Sequence, residues 1–255
     1  MDDVSLMATG ERTAPGLPDE EYWFARHEAA YLALPRLLGP DICAGLLVDA
    51  GAGEGYGAQA LLTAGAGAVT ALEFDATACR HAAATYPGVD IVQANLDALP
   101  LRSGAADAVI SCQVIEHLWD LPRFLRECRR VLRPGGAIVV TTPNRLTFSP
   151  GLARGERPVN PFHVEEFDAA QVVDMLVEAG FVDVGALGLR HGPRLVDWER
   201  AHGSIVAAQV DAVLSGHWPD GLRAMVSTVT HHDFAIDVPS RGDDADIIGI
   251  GWAQP

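Results

Sequence analysis

Apolar and polar positions along this chain predict strands and helices in alternation. Residues 46–49 are three apolar side chains closed by Asp49, and they lead into glycines at 51, 53 and 55. A short buried strand followed by a sharp turn fits this, because glycine enters positive φ freely and leaves the backbone bare for a ligand. A helix over 56–64 comes next. Further strands are predicted at 68–75, 89–93, 107–112 and 137–142, with helices between them running from an Asp75 cap to Tyr86 and over 121–132. Upstream, residues 19–38 read as a helix capped by Asp19 and stopped by Gly39-Pro40. Downstream, a helix over 165–179 leads to a sixth strand near 182–187, and a seventh strand covers 245–252. Helical patterns at 195–214 and 218–230 fill the interval between these last two strands. Strand and helix in alternation, with short glycine and proline punctuation, predict an α/β fold whose parallel sheet is covered on both faces.

Composition narrows the class. The chain has 255 residues, 49% of them hydrophobic, which suits one large domain over 1–255. No apolar run approaches the roughly 18 residues a membrane helix needs. Met1-Asp2-Asp3 is acidic and lacks an apolar signal segment, so a cytoplasmic location is expected. The four cysteines form no C-x-x-C pair, which agrees with a reducing compartment. A formal charge of −16 argues against a nucleic-acid partner and favours a neutral small molecule or oligosaccharide. The oligomeric state stays open, a homodimer included.

The glycine spacing separates two kinds of nucleotide pocket. A dinucleotide fold wants G-x-G-x-x-G, whereas Asp49-Ala50-Gly51-Ala52-Gly53-Glu54-Gly55 puts an acid before glycines at alternate positions. This resembles motif I of the class I S-adenosylmethionine-dependent methyltransferases, and the likeness continues in order to residue 142. The resemblance implies a Rossmann-like, seven-stranded sheet with S-adenosyl-L-methionine bound at Asp49, Gly51 and Gly53. Glu73, at the end of the second strand, would accept from both ribose hydroxyls, and Phe74 would lie against adenine. Asn95 stands where the family usually has aspartate and can accept from the adenine amino group, while Leu96 would offer its backbone N–H to the ring. Arg26 lies 23 positions before Asp49, where relatives carry an arginine for the methionine carboxylate. With Tyr22 and Gln113, these complete the expected cofactor residues. Residues 1–44 would form a lid. In the bare fold the last two strands make a tight hairpin, so residues 190–244, together with 143–164, are expected to cap the acceptor.

Catalysis is expected where the fourth strand ends, at Glu116-His117, with His163 from the following loop. An alcohol at neutral pH is a poor nucleophile, so the transfer needs a base or a metal. Ubiquinone-pathway and small-RNA 2′-O-methyltransferases place E-x-x-E-H here and bind a divalent ion. This chain has Gln113 at the first position, and an amide is a weaker ligand for a hard cation than a carboxylate. A metal-free reaction with His117 or His163 as base is therefore favoured over a cation held by Glu116, His117 and His163. Asn144, Arg145, Asn160 and His163 are suited to reading hydroxyls. The tandem His231-His232 reads as surface or packing.

A narrower likeness rests on Gly10-Glu11-Arg12, residues 22–27, Thr142-Pro143-Asn144-Arg145, Asn160-Pro161-Phe162-His163 and His191-Gly192-Pro193-Arg194. Together these resemble actinobacterial methyltransferases of the methylglucose lipopolysaccharide type, which implies a sugar hydroxyl on a glucose-containing oligosaccharide as acceptor. The alternatives are metal-assisted methylation of a phenol or quinone, and a cofactor-binding module without catalysis.

Overall fold

The computed structural model describes residues 13–158, 160–237, 239–240 and 242–254; Gly10-Glu11-Arg12 and the acidic N-terminus lie outside them. The first half runs α1 (Glu21–Leu38), α2 (Pro40–Cys43), β1 (Leu46–Ala50), α3 (Tyr56–Thr63), β2 (Ala68–Glu73), α4 (Ala76–Thr85), β3 (Asp90–Gln93) and β4 (Ala106–Cys112). A 3-10 turn at Ile115–His117 precedes α5 (Leu121–Val131), β5 (Leu132–Pro143), α6 (Arg145–Phe148), α7 (Ala169–Glu178) and β6 (Phe181–His191). The remainder is α8 (Pro193–His202), α9 (Ile205–Ser215), α10 (Asp220–Val226), β7 (Phe234–Asp237) and β8 (Asp246–Ala253).

The sheet has eight strands in the order β3-β2-β1-β4-β5-β8-β6-β7, one more than the seven expected. The extra strand, β7, arises inside the 190–244 interval, where residues 234–237 pair antiparallel with Gly188–His191 at the sheet edge. Strands β1 to β5 are mutually parallel, and β8 runs antiparallel between β5 and β6. Side chains alternate across the sheet. Leu47, Ala71, Ala108 and Val139 face a core shared with α1, α3, α8, α9 and α10, while Val48, Leu72, Val109 and Val140 face one shared with α5 and α7.

Local chemistry moved several boundaries. Asp19 does not cap α1: its φ is 66°, outside the extended region a cap requires, and its carboxylate accepts from the Arg223 guanidinium at 2.9 Å. The 195–214 pattern is two helices, because Gly203 turns left-handed at φ 87° and Ser204 accepts from Ala207 N–H to start α9. Helix α7 starts four residues late, at a capping box of Asp168 and Gln171. Asp75 caps α4 as its sequence position suggested, accepting from Thr77 and Ala78 N–H.

Candidate active site

Every loop at the carboxyl ends of β1, β2, β3 and β4 opens into one cavity of about 550 Å³. This is where ligands bind in an open α/β sheet. Gly51, Gly53 and Gly55 all have positive φ, at 86°, 52° and 83°. At Gly51 a Cβ would also meet Val114 Cγ2 at 2.5 Å, so both conformation and space demand glycine. Glu73 pins the turn, its two carboxylate oxygens accepting from Gly53 N–H at 2.9 Å and Asp75 N–H at 2.8 Å. Phe74, 71% exposed, stands in the wall with its ring largely open to solvent. Asn95 and Leu96 line the same cavity. The Asn95 side-chain oxygen already accepts from Asp97 N–H at 2.9 Å, an Asx turn that fixes its direction.

A second cavity, of about 160 Å³, adjoins the first. Thr13, His27, Gln113 and His117 belong to the walls of both. Trp23, Phe148, Glu20, Asn160 and His163 surround the smaller one, and Val210 reaches it from α9. Gln113 occupies the left-handed region at φ 56°, an unfavourable conformation for a side chain with a Cβ. Its amide is fixed at both ends, with Oε1 accepting from Arg26 Nη2 at 3.1 Å and Nε2 donating to Thr141 Oγ1 at 3.2 Å.

Glu116 is buried, and its carboxylate accepts from Thr142 Oγ1 at 3.1 Å. The His117 and His163 ring centroids are 5.1 Å apart at 67°. Ligand atoms of Glu116, His117 and His163 lie within 4.8 Å of one another, so these three could hold a metal ion. Gln113, its amide committed elsewhere, adds nothing to that donor set.

Residues 48–140 match the model of a methyltransferase domain family. A "probable S-adenosylmethionine-dependent methyltransferase" of Mycobacterium tuberculosis is 48% identical over 245 residues, covering 95% of this chain and 85% of that protein. The chain belongs to the S-adenosylmethionine-dependent methyltransferases. A ubiquinone biosynthesis O-methyltransferase of a Methylobacterium species is 30% identical over 188 residues, or 69% of this chain and 75% of that one. Among solved structures, an S-adenosylmethionine-dependent methyltransferase of Thermotoga maritima superposes with a TM-score of 0.63 at 19% identity, covering 92% and 95% of the two chains. That likeness shows the shared class I, Rossmann-like fold.

In this methyltransferase the larger cavity fits the cofactor: a bare glycine backbone and a pinned acid at the end of β2 face the same space. When bound, S-adenosylmethionine supplies an electrophilic methyl on a sulfonium. Seven of the ten residues expected to hold it line that cavity, namely Gly51, Gly53, Glu73, Phe74, Asn95, Leu96 and Gln113. Three do not. Tyr22 is fully buried, with its hydroxyl 2.7 Å from His191 Nε2 and its ring against Trp23 and Phe234. Asp49 sits behind the wall, accepting from the Tyr31 hydroxyl at 2.9 Å, and burial pushes its carboxyl up to about 7. Arg26 lines only the smaller cavity. Its Nε lies 3.3 Å from Asp246, and its guanidinium lies 5.0 Å from the centroids of both Trp23 and Phe148. Even with Arg26 beside it, burial raises Asp246 to about 6.

Asn144 and Arg145 also stay out of both walls. Asn144 caps α6 and donates to Asp244 O at 2.9 Å, while Arg145 pairs with Asp168 beneath the loop. His231 binds Glu28 at 2.8 Å, tying α1 to the residues after α10. Sequence reasoning missed Thr13, His27, Tyr31 and Tyr56. The available signal was spacing: His27 and Tyr31 are one helical turn apart on α1 and so share its cavity face. His27 Nδ1 lies 2.9 Å from the Tyr56 hydroxyl, and burial together with Arg26 lowers its pKa well below the usual imidazole value.

Proposed function

We propose that this enzyme methylates a hydroxyl of a glucose-containing oligosaccharide, with His117 as general base. The observation that carries the reading is the shared wall: of the two histidines beside Glu116, His117 alone faces both cavities. A base must stand where the acceptor oxygen meets the methyl, and that is the seam between them. The backbone carbonyl of Phe162 lies 3.0 Å from His117 Nδ1. A carbonyl only accepts, so Nδ1 carries the proton and Nε2 presents a lone pair. The acceptor oxygen forms a bond to the methyl carbon while the sulfur–methyl bond breaks and its pair stays on sulfur. His117 Nε2 receives the hydroxyl proton. Trp23 and Phe148 offer apolar faces to a sugar ring, and Glu20, Asn160 and His163 offer polar groups to its hydroxyls. The narrower sequence resemblance supplies the sugar itself.

Incubation with labelled cofactor and short α-glucans or methylglucans tests the acceptor class; transfer confined to a quinone, a phenol or a small amine refutes it. His117→Ala should lower kcat by about 10²–10⁴-fold while cofactor affinity stays within a few-fold. Full turnover in that variant removes His117 from the mechanism.

A second reading is metal-assisted methylation of a phenol or quinone. It is supported by the convergence of Glu116, His117 and His163 and by the ubiquinone-pathway relative. Activity that survives EDTA unchanged excludes it.

A further inference from the structure

His163 differs from His117 in what stands behind it. Its Nδ1 lies 2.8 Å from a carboxylate oxygen of Glu166, and the two side chains are 5% and 2% exposed. Its Nε2 lies 3.2 Å from Asn160 Nδ2. The direction of these contacts follows from the loop. Asn160 Oδ1 accepts from Phe162 N–H at 3.0 Å, so its amide nitrogen is the end that faces the ring. An amide nitrogen only donates and an ionised carboxylate only accepts. Nε2 must therefore carry the lone pair, and Nδ1 the proton. The same loop is stitched to the base, since Glu116 O accepts from Val164 N–H at 2.7 Å and Phe162 O receives His117 Nδ1. Both imidazoles are thus held by Nδ1, by two acceptors from one seven-residue stretch, 160–166.

We propose that Glu166 is a positioning residue of the methyl-transfer site: it locks His163 in the Nδ1–H tautomer, so that Nε2 accepts from Asn160 and the 160–166 loop is held with Phe162 O against His117 Nδ1. The chain of donors runs one way, from Phe162 N–H through Asn160 and His163, and ends on the buried carboxyl oxygen of Glu166. Only the effect on turnover, which acts through His117, rests on the hydroxyl-acceptor reading above; the tautomer does not.

Long-range ¹H–¹⁵N correlation spectra of the full chain at pH 8, with His163→Ala used for assignment, read the tautomer without any acceptor. The expected pattern for His163 is a protonated Nδ1 and an unprotonated Nε2. Glu166→Gln, whose amide oxygen can still accept from Nδ1, should keep that pattern and most of the turnover. Glu166→Ala should shift the ring toward Nε2–H and lower kcat at least about tenfold, with KM for S-adenosylmethionine within twofold. An Nε2–H signal in the wild-type protein overturns the proposal, as does Glu166→Ala with an unchanged spectrum and unchanged kcat. If Glu166→Ala does not fold, the wild-type and Glu166→Gln spectra still decide. An acceptor screen that finds no sugar transfer, with the Nδ1–H pattern intact, refutes the sugar reading and leaves the tautomer lock standing.

Discussion

Replacing Asp49 by asparagine isolates one buried charge. Asp49 has no exposed surface, and burial outweighs its hydrogen bonds from Tyr31 and Ala58, carrying its carboxyl from an ordinary 3.8 to about 7. An acid whose folded value lies above its unfolded one holds its proton more tightly when folded. Its unfavourable contribution is therefore absent below pH 3.8, grows as the pH rises, and is complete above about 7. Three pH units at 1.36 kcal/mol each make the charged form cost roughly 4 kcal/mol by pH 8, about 2.5 kcal/mol of it appearing between pH 5 and pH 8. Asparagine keeps an oxygen for the Tyr31 hydroxyl and has nothing to ionise. Any rearrangement of hydrogen bonds adds an offset that is the same at both pH values. Urea unfolding of wild type and Asp49→Asn at pH 5 and pH 8 should show the variant gaining on wild type by about 2 kcal/mol or more as the pH rises. Parallel stability curves across that range would refute the claim that Asp49 is a costly charge behind the glycine turn.

Other perturbations separate the cofactor site from the fold. Phe74→Ala should weaken S-adenosylmethionine binding about tenfold in calorimetry, as loss of one base–aromatic stack does, while thermal stability stays unchanged because the ring is 71% exposed. Gly51→Ala should cost about 2 kcal/mol or more of stability and most of the cofactor affinity, since positive φ disfavours a Cβ and Val114 must move. Gln113→Glu puts a second carboxylate on Arg26, which already faces Asp246. Its melting temperature should fall below wild type above pH 7 and match it near pH 5, where the added acid can stay protonated.

The glycine turn, the acid at the end of β2 and the strand–helix alternation were legible in the chain because each is enforced locally. Positive φ needs glycine, period-2 burial needs alternating apolar residues, and a capping aspartate acts within three residues of itself. Seven residues that line the larger cavity followed from that framework at the carboxyl ends of the strands. The eighth strand was not legible, because residues 234–237 become a strand only by pairing with the edge of β6, some forty residues earlier. Tyr22, Asp49 and Arg26 sit close to the cofactor in sequence logic, yet packing turned them to His191, Tyr31 and Asp246, partners brought near only when α1 packs on the assembled sheet. Which histidine bridges two cavities, and which has a carboxylate behind it, was likewise decided when the 160–166 loop closed over the end of β4. Local rules name the residues that can do chemistry; the long-range contacts that desolvate and orient them assign the roles.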